Sequence, residues 1–125
     1  MKWYDPAWNS HSWRVSPEIL NSSDQVKRKL LRGYCDADGS PIFNKRRRQP
    51  LVKIESVNHE GLLDVNRVFH ELGYNTHVWR ESKTRETWGL YITRIRELRR
   101  FRREIAFSIR RKQSRLLEIL TLKQQ

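Results

Sequence analysis

Leu31-Arg-Gly-Tyr-Cys-Asp-Ala-Asp-Gly39 is the stretch that decides how this 125-residue chain reads. It closes an apolar helical run in which two small residues, Gly33 and Ala37, stand four apart and so share one helix face. That face is flat enough for a second helix to touch its backbone. Leu30 sits one turn before Gly33 and completes the candidate contact stripe. The run then ends on two acids and a glycine, which puts Asp38 at the helix's C-terminal end. A second copy packed there would bring a second carboxylate close. Paired carboxylates beside a strongly cationic protein point to a divalent metal and a phosphodiester.

Outward from the nonapeptide, Ser22, Ser23 and Asp24 offer N-caps, and Val26, Leu30, Leu31 and Tyr34 continue at helical spacing. Gly39-Ser-Pro41 is expected to end that helix. Strands are expected at 42–47 and 51–56 around an Arg48-Gln49-Pro50 turn, with Val52 and Ile54 alternating with Lys53 and Glu55. A helix over 60–72 carries Leu62, Val65, Phe69 and Leu72 on one side and has Gly73 after its last turn. Further strands are expected at 74–81 and 87–93. In the last of these Trp88, Leu90 and Ile92 face one way, while Gly89 and Tyr91 face the other. In strand 74–81, Tyr74, Thr76 and Val78 compete with His77 and Trp79 for the core. Helical spacing resumes at Ile95, and a short final helix is expected over 112–122. The order α-ββ-α-ββ-α-α implies an α+β fold, one four-stranded antiparallel sheet with helices on one face. Residues 1–21, with Trp3, Tyr4, Trp8 and Trp13 among Pro6 and Pro17, read as an arm packed through its aromatics onto a domain spanning 22–122.

Composition narrows the partner. Twenty-six basic against fourteen acidic residues give a net charge of +12 and a pI near 10.6, which makes a polyanion the leading partner class. Mean hydropathy is −0.85, yet five Trp, four Tyr and four Phe supply core material and argue against a wholly disordered chain. No apolar run approaches the ~18 residues of a membrane span. Met1-Lys-Trp-Tyr-Asp5 does not open a signal peptide, so an intracellular protein, cytoplasmic or organellar, is expected. One cysteine, Cys35, excludes an internal disulfide and a cysteine zinc cluster. His11, His59, His70 and His77 have no metal-ligand spacing.

With these elements in order, Leu31–Gly39 resembles the motif that names the LAGLIDADG homing endonucleases. Ile54-Glu-Ser-Val-Asn58 with Gly61-Leu-Leu and Leu72-Gly73 resembles that family's second strand and second helix. Ile105–Gln113 with Arg115-Leu116 resembles its C-terminal segment. The resemblance spans roughly residues 22–120 and implies an αββαββα fold with a saddle-shaped sheet in the DNA major groove. It implies a site-specific double-strand DNA endonuclease using Mg²⁺ or another divalent cation. Asp38 would be the metal ligand, the Gly39 carbonyl a helper, and Arg110 or Lys112 the active-site cation. Ser56 stands where the family often has Gln, and Arg32 and Cys35 replace residues that are usually small or aliphatic. A single motif implies a homodimer through Leu30, Gly33 and Ala37, or pairing with another LAGLIDADG half. The alternative is a nucleic-acid-binding protein of the same fold that does not cut, an intron RNA maturase or a DNA-binding regulator.

Candidate DNA contacts lie on the uncovered sheet face. On a strand, Arg46 and Arg48 would share the side of Asn44, and Arg suits guanine edges as Asn suits adenine. Lys53, Glu55, Arg80 and Tyr91 complete the set. The ten basic residues of 94–115 would contact phosphates without reading sequence.

Overall fold

Two serines start the described chain's first helices. The computed structural model describes residues 11–124, so Trp3, Tyr4 and Trp8 of the expected arm lie outside it. Ser16 caps a one-turn helix α1 (Pro17–Leu20), and Ser23 Oγ accepts from Val26 N at 3.3 Å to cap α2 (Asp24–Asp38). α1 falls in the stretch read as irregular; Pro at its first position and the Ser cap are what allow one turn there.

Strand β1 (Gly39–Asn44) begins on the residue after α2 and pairs with β2 (Gln49–Ser56). It therefore starts three residues before the expected position and takes in Pro41. Proline is tolerated because β1 is an edge strand, where an absent N–H need not break a ladder. Gly39 is required by close approach: a Cβ there would stand 2.8 Å from the Cys35 carbonyl oxygen. Helix α3 (His59–Glu71) is capped by Asn58 Oδ1, which accepts from Gly61 N at 3.0 Å, and it is followed by Gly73 at φ +89°, a left-handed position that glycine fills without strain.

Strand β3 (His77–Arg80) is shorter than expected. Residues 74–76 bond to helices instead: Tyr74 N donates to Phe69 O (3.0 Å) and Thr76 Oγ1 to Asn66 Oδ1 (2.6 Å). Tyr74 and Thr76 are buried by this, while Trp79 is 61% exposed, which resolves the competition within that strand. β4 (Trp88–Ile92) follows, then α4 (Ile95–Glu104) and α5 (Arg110–Gln124), the last starting two residues earlier than expected.

The sheet is fully antiparallel in the order β1-β2-β4-β3. Val52 and Ile54 of β2 and Leu90 and Ile92 of β4 are fully buried beneath it. They pack with Leu62, Val65 and Phe69 of α3, Leu98 and Phe101 of α4, and Leu116 and Ile119 of α5. The four-stranded α+β fold with helices on one face is thus present. Val15 and Ile19, before α2, also join the core. Among the described residues no helix is long and apolar enough to cross a membrane.

Candidate nuclease centre and nucleic-acid face

Asp38 is the last residue of α2 and is exposed. Partial desolvation raises its carboxyl above the ordinary aspartate value, and the charge of Lys112 opposes that rise. It lines two shallow clefts. One of about 130 Å³ is shared with Ser40, Ile42, Lys53 and Glu55. The other, of about 300 Å³, is shared with Trp13, Glu55, Ser56, Val57 and Thr87. Asp38, Glu55 and Ser56, separated in sequence, are thereby brought to one place, because Gly39 pairs with Ile54 in the β1–β2 ladder.

Ser56 Oγ accepts from Asn58 N at 3.0 Å, so its oxygen serves the start of α3. Beneath the site the Tyr34 phenol is pushed up by burial and then by the charge of Asp38, and Trp13 lies 5.4 Å from its ring. Cys35 is fully buried, and burial first, then Asp36, raises its thiol, which leaves it an inert core residue.

The two candidate cations differ in placement. Lys112 extends from the first turn of α5 to the end of α2, its Nζ donating to Asp36 O at 2.8 Å and reaching Cys35 O at 3.4 Å. Arg110, the first residue of α5, is exposed. Two residues are roughly 200° apart around a helix, so only one of them can meet α2.

Gly33 and Ala37 are exposed on α2, and a Cβ at Gly33 would meet nothing within 4 Å. Leu30, on the same helix, is half-buried against the core. No group of three or more His, Cys, Asp or Glu residues that could hold a metal occurs among the described residues. Asp38 is a hard oxygen donor suited to Mg²⁺, but one such carboxylate does not close a site. Glu55, the other acid at the clefts, is held by Lys53 at 2.8 Å, so the donor set fits the metal only if Glu55 turns from Lys53 or a further acid comes from elsewhere.

The outer sheet face differs from expectation in three residues. β1 ends at Asn44, so Arg46 and Arg48 stand in the turn that follows, not on the strand. Asn44 Oδ1 accepts from Arg47 N at 3.2 Å and holds that turn. Arg48, at φ +49°, turns toward the helical layer, where its guanidinium donates to Leu122 O at 3.2 Å and lies 5.8 Å from the Phe43 ring. Arg80 shares the face of Val78, alternate to His77 and Trp79; its guanidinium lies 5.9 Å from the Trp88 ring, which also stacks on His59 at 3.7 Å.

Lys53 and Tyr91 do lie on the outer face, paired across the ladder. Lys53 is neutralised there by Glu55 at 2.8 Å and Glu81 at 3.4 Å, and the Tyr91 hydroxyl donates to Glu81. Burial first, and then that hydrogen bond to Glu81, raises the Tyr91 phenol. Glu81 and the exposed Trp79 were not among the expected contacts. Their parity with His77 could have shown them, had the register of that strand been clear. The arginine-rich segment also lies apart: Arg99, Arg102 and Arg103 line a cleft of about 300 Å³ against Leu117, Leu120 and Thr121, between α4 and α5.

Comparison with known proteins agrees with this fold. Residues 25–106 match the family described as LAGLIDADG-like domain. None of the curated proteins compared with the chain matches it. Among solved structures, the chain is similar to the archaeal intron-encoded homing endonuclease I-Vdi141I complexed with DNA, at 15% identity and a TM-score of 0.53. That match covers 82% of this chain and 69% of the archaeal one, and the likeness is one of fold.

Proposed function

The chain belongs to the LAGLIDADG-like family, and from that premise we propose that it is a site-specific double-strand DNA endonuclease that works as a homodimer. The observation that carries this reading is the end of α2, where Asp38 follows an exposed small-residue face and stands within the electrostatic reach of Lys112. Two chains joined through Gly33 and Ala37 would place two copies of Asp38 side by side, supplying a further acid where Glu55 of the same chain is held by Lys53. The net charge of +12 and the DNA-complexed archaeal neighbour support duplex DNA as the partner.

In this mechanism the outer face of β1–β4 lies against the duplex and the single domain, 22–122, acts as one half-site reader. Asp38, with the Gly39 carbonyl, would hold Mg²⁺, which when bound neutralises phosphoryl oxygens and lowers the pKa of an attacking water. Lys112 offsets charge that develops on the reacting phosphate. Arg110 is left to contact backbone or solvent. Ser56 borders the reaction site and shapes it, with its oxygen already engaged by Asn58. Asn44, Arg46, Lys53, Glu55 and Tyr91 supply the polar contacts, while Arg48 and Arg80 are assigned no base contact.

The experiment is selection from random duplex DNA, followed by cleavage of the recovered target with Mg²⁺. A palindromic target cut by the wild type and left intact by Asp38→Asn, with binding retained, is the expected result. Cutting by Asp38→Asn at the wild-type rate would overturn the metal-ligand assignment. Binding without any cleavage would favour the non-cutting reading of the same fold.

A further inference from the structure

Two helix ends meet beside Asp38, and each supplies what the other lacks. The segment 107–109 that leads into α5 has three N–H groups with no helical carbonyl to receive them. Phe107 N donates to Gln113 Oε1 at 2.9 Å. The other two go to Asp36: its Oδ1 accepts from Ser108 N at 2.9 Å and from Ile109 N at 3.4 Å, and its Oδ2 accepts from the Ser108 hydroxyl. In the opposite direction, Lys112 Nζ satisfies the carbonyls of Asp36 and Cys35 at the negative end of α2. One carboxylate and one ammonium thus tie the same two helix ends with opposite polarity, across more than 70 residues of sequence.

The path into this junction is narrowly defined. Ala106, just before it, is a non-glycine residue at φ +64°, and its N–H returns to Phe101 O at 2.6 Å. Such a conformation persists only where the surroundings enforce it. Both oxygens of Asp36 are occupied by donors, so this acid has a task different from that of Asp38 two residues later.

We propose that Asp36 is a positioning residue for Lys112: by fixing the first turn of α5 it holds the ammonium at the C-terminal end of α2, the helix that ends on Asp38, before any phosphodiester arrives. The inference rests on the reading of Lys112 as the active-site cation. A cation displaced by an ångström from a reacting phosphate loses much of its effect, on the order of a hundredfold in rate.

The test uses the full chain, with Asp36→Asn, Lys112→Met, the double variant, and Ser108→Ala as a milder probe that removes only the hydroxyl contact. Duplex binding is measured with Ca²⁺, single-turnover cleavage with Mg²⁺ at saturating protein, and Lys112 accessibility by competitive amine labelling read by mass spectrometry. Asp36→Asn should bind within about twofold of the wild type, cut about tenfold to a hundredfold more slowly, and label several-fold faster at Lys112. In the Lys112→Met background it should slow cleavage no further, although any loss of melting temperature persists. A purely architectural Asp36 would slow cleavage equally in both backgrounds, and that result overturns the proposal. If Asp36→Asn does not fold, Ser108→Ala should shift labelling and rate in the same directions, and no shift in either overturns it. If the wild type does not cut at all, the nuclease reading fails; labelling of Lys112 unchanged by Asp36→Asn would overturn the positioning role itself, and faster labelling would support it.

Discussion

Asp64 grips Arg14 at two points: Nε lies 2.7 Å from Oδ2, and a second guanidinium nitrogen donates to Oδ1 at 3.0 Å. The same Oδ2 accepts from Val15 N at 3.1 Å, so one carboxylate on α3 fastens the segment that precedes α1. Asp64→Ala removes the acceptor that Asp64 offers the Val15 N–H and should lower stability by about 1–3 kcal/mol. Limited proteolysis ahead of Val15 should accelerate in step with the lower urea midpoint. Unchanged digestion would show that this segment is held by the packing of Trp13, Val15 and Ile19 and by the hydrogen bond from Asn58 to Trp13 O.

Glu71 offers a test by pH. Its carboxyl is held below the ordinary glutamate range first by the hydrogen bond from Lys27, whose ammonium lies 2.8 Å away and is largely buried. A lowered carboxyl pKa means the unfolded chain binds more protons, so the stabilisation is present at neutral pH and is lost as pH falls through the lowered value. Glu71→Gln should therefore be less stable than the wild type by about 1 kcal/mol at pH 7. The two urea midpoints should converge as the pH falls below that lowered pKa. A gap that persists in acid would place the effect in side-chain packing.

Asp38 shows the opposite sign. Its raised pKa means the folded chain binds more protons through the carboxylate range, so stability falls as pH rises across it. Asp38→Asn should melt at a higher temperature than the wild type at pH 7, and the advantage should disappear in acid. A variant that gains stability while losing cleavage would mark Asp38 as a residue kept for chemistry.

Gly33 separates assembly from folding. A Cβ there meets open space within the chain, and a helix-interior glycine is roughly 0.5–1 kcal/mol worse than other residues. Gly33→Leu should thus leave the isolated chain as stable or more so, while blocking close approach of a second α2. Sedimentation should show a monomer, and cleavage should be lost. A Gly33→Leu protein that still dimerises would move the interface elsewhere.

Much of this was legible from local pattern. The alternation of Leu90 and Ile92 against Gly89 and Tyr91, a cap among Ser22, Ser23 and Asp24, and Gly73 after the last turn of α3 all follow from neighbours in sequence. Departures arose where distant partners decide. Pro41 reads as a stop until β1 is known to be an edge strand, and Tyr74–Thr76 read as strand until α3 captures them. Within the candidate site, Asp38 was marked by the motif, but which of Arg110 and Lys112 meets the end of α2 depends on the rotation of α5 relative to α2. Lys53 reads as a DNA contact without its partner Glu81, which a strand of uncertain register could not place beside it.

The absence of any loop between Asp38 and the first strand has a mechanical consequence. The helix that would set the spacing of two protomers runs into the sheet that would touch each half-site, with Gly39 as the joint and Cys35 O closing hard against it. A pair of such chains would act as a caliper with a fixed opening. It should forgive a changed base within a half-site more readily than one base pair inserted between the halves.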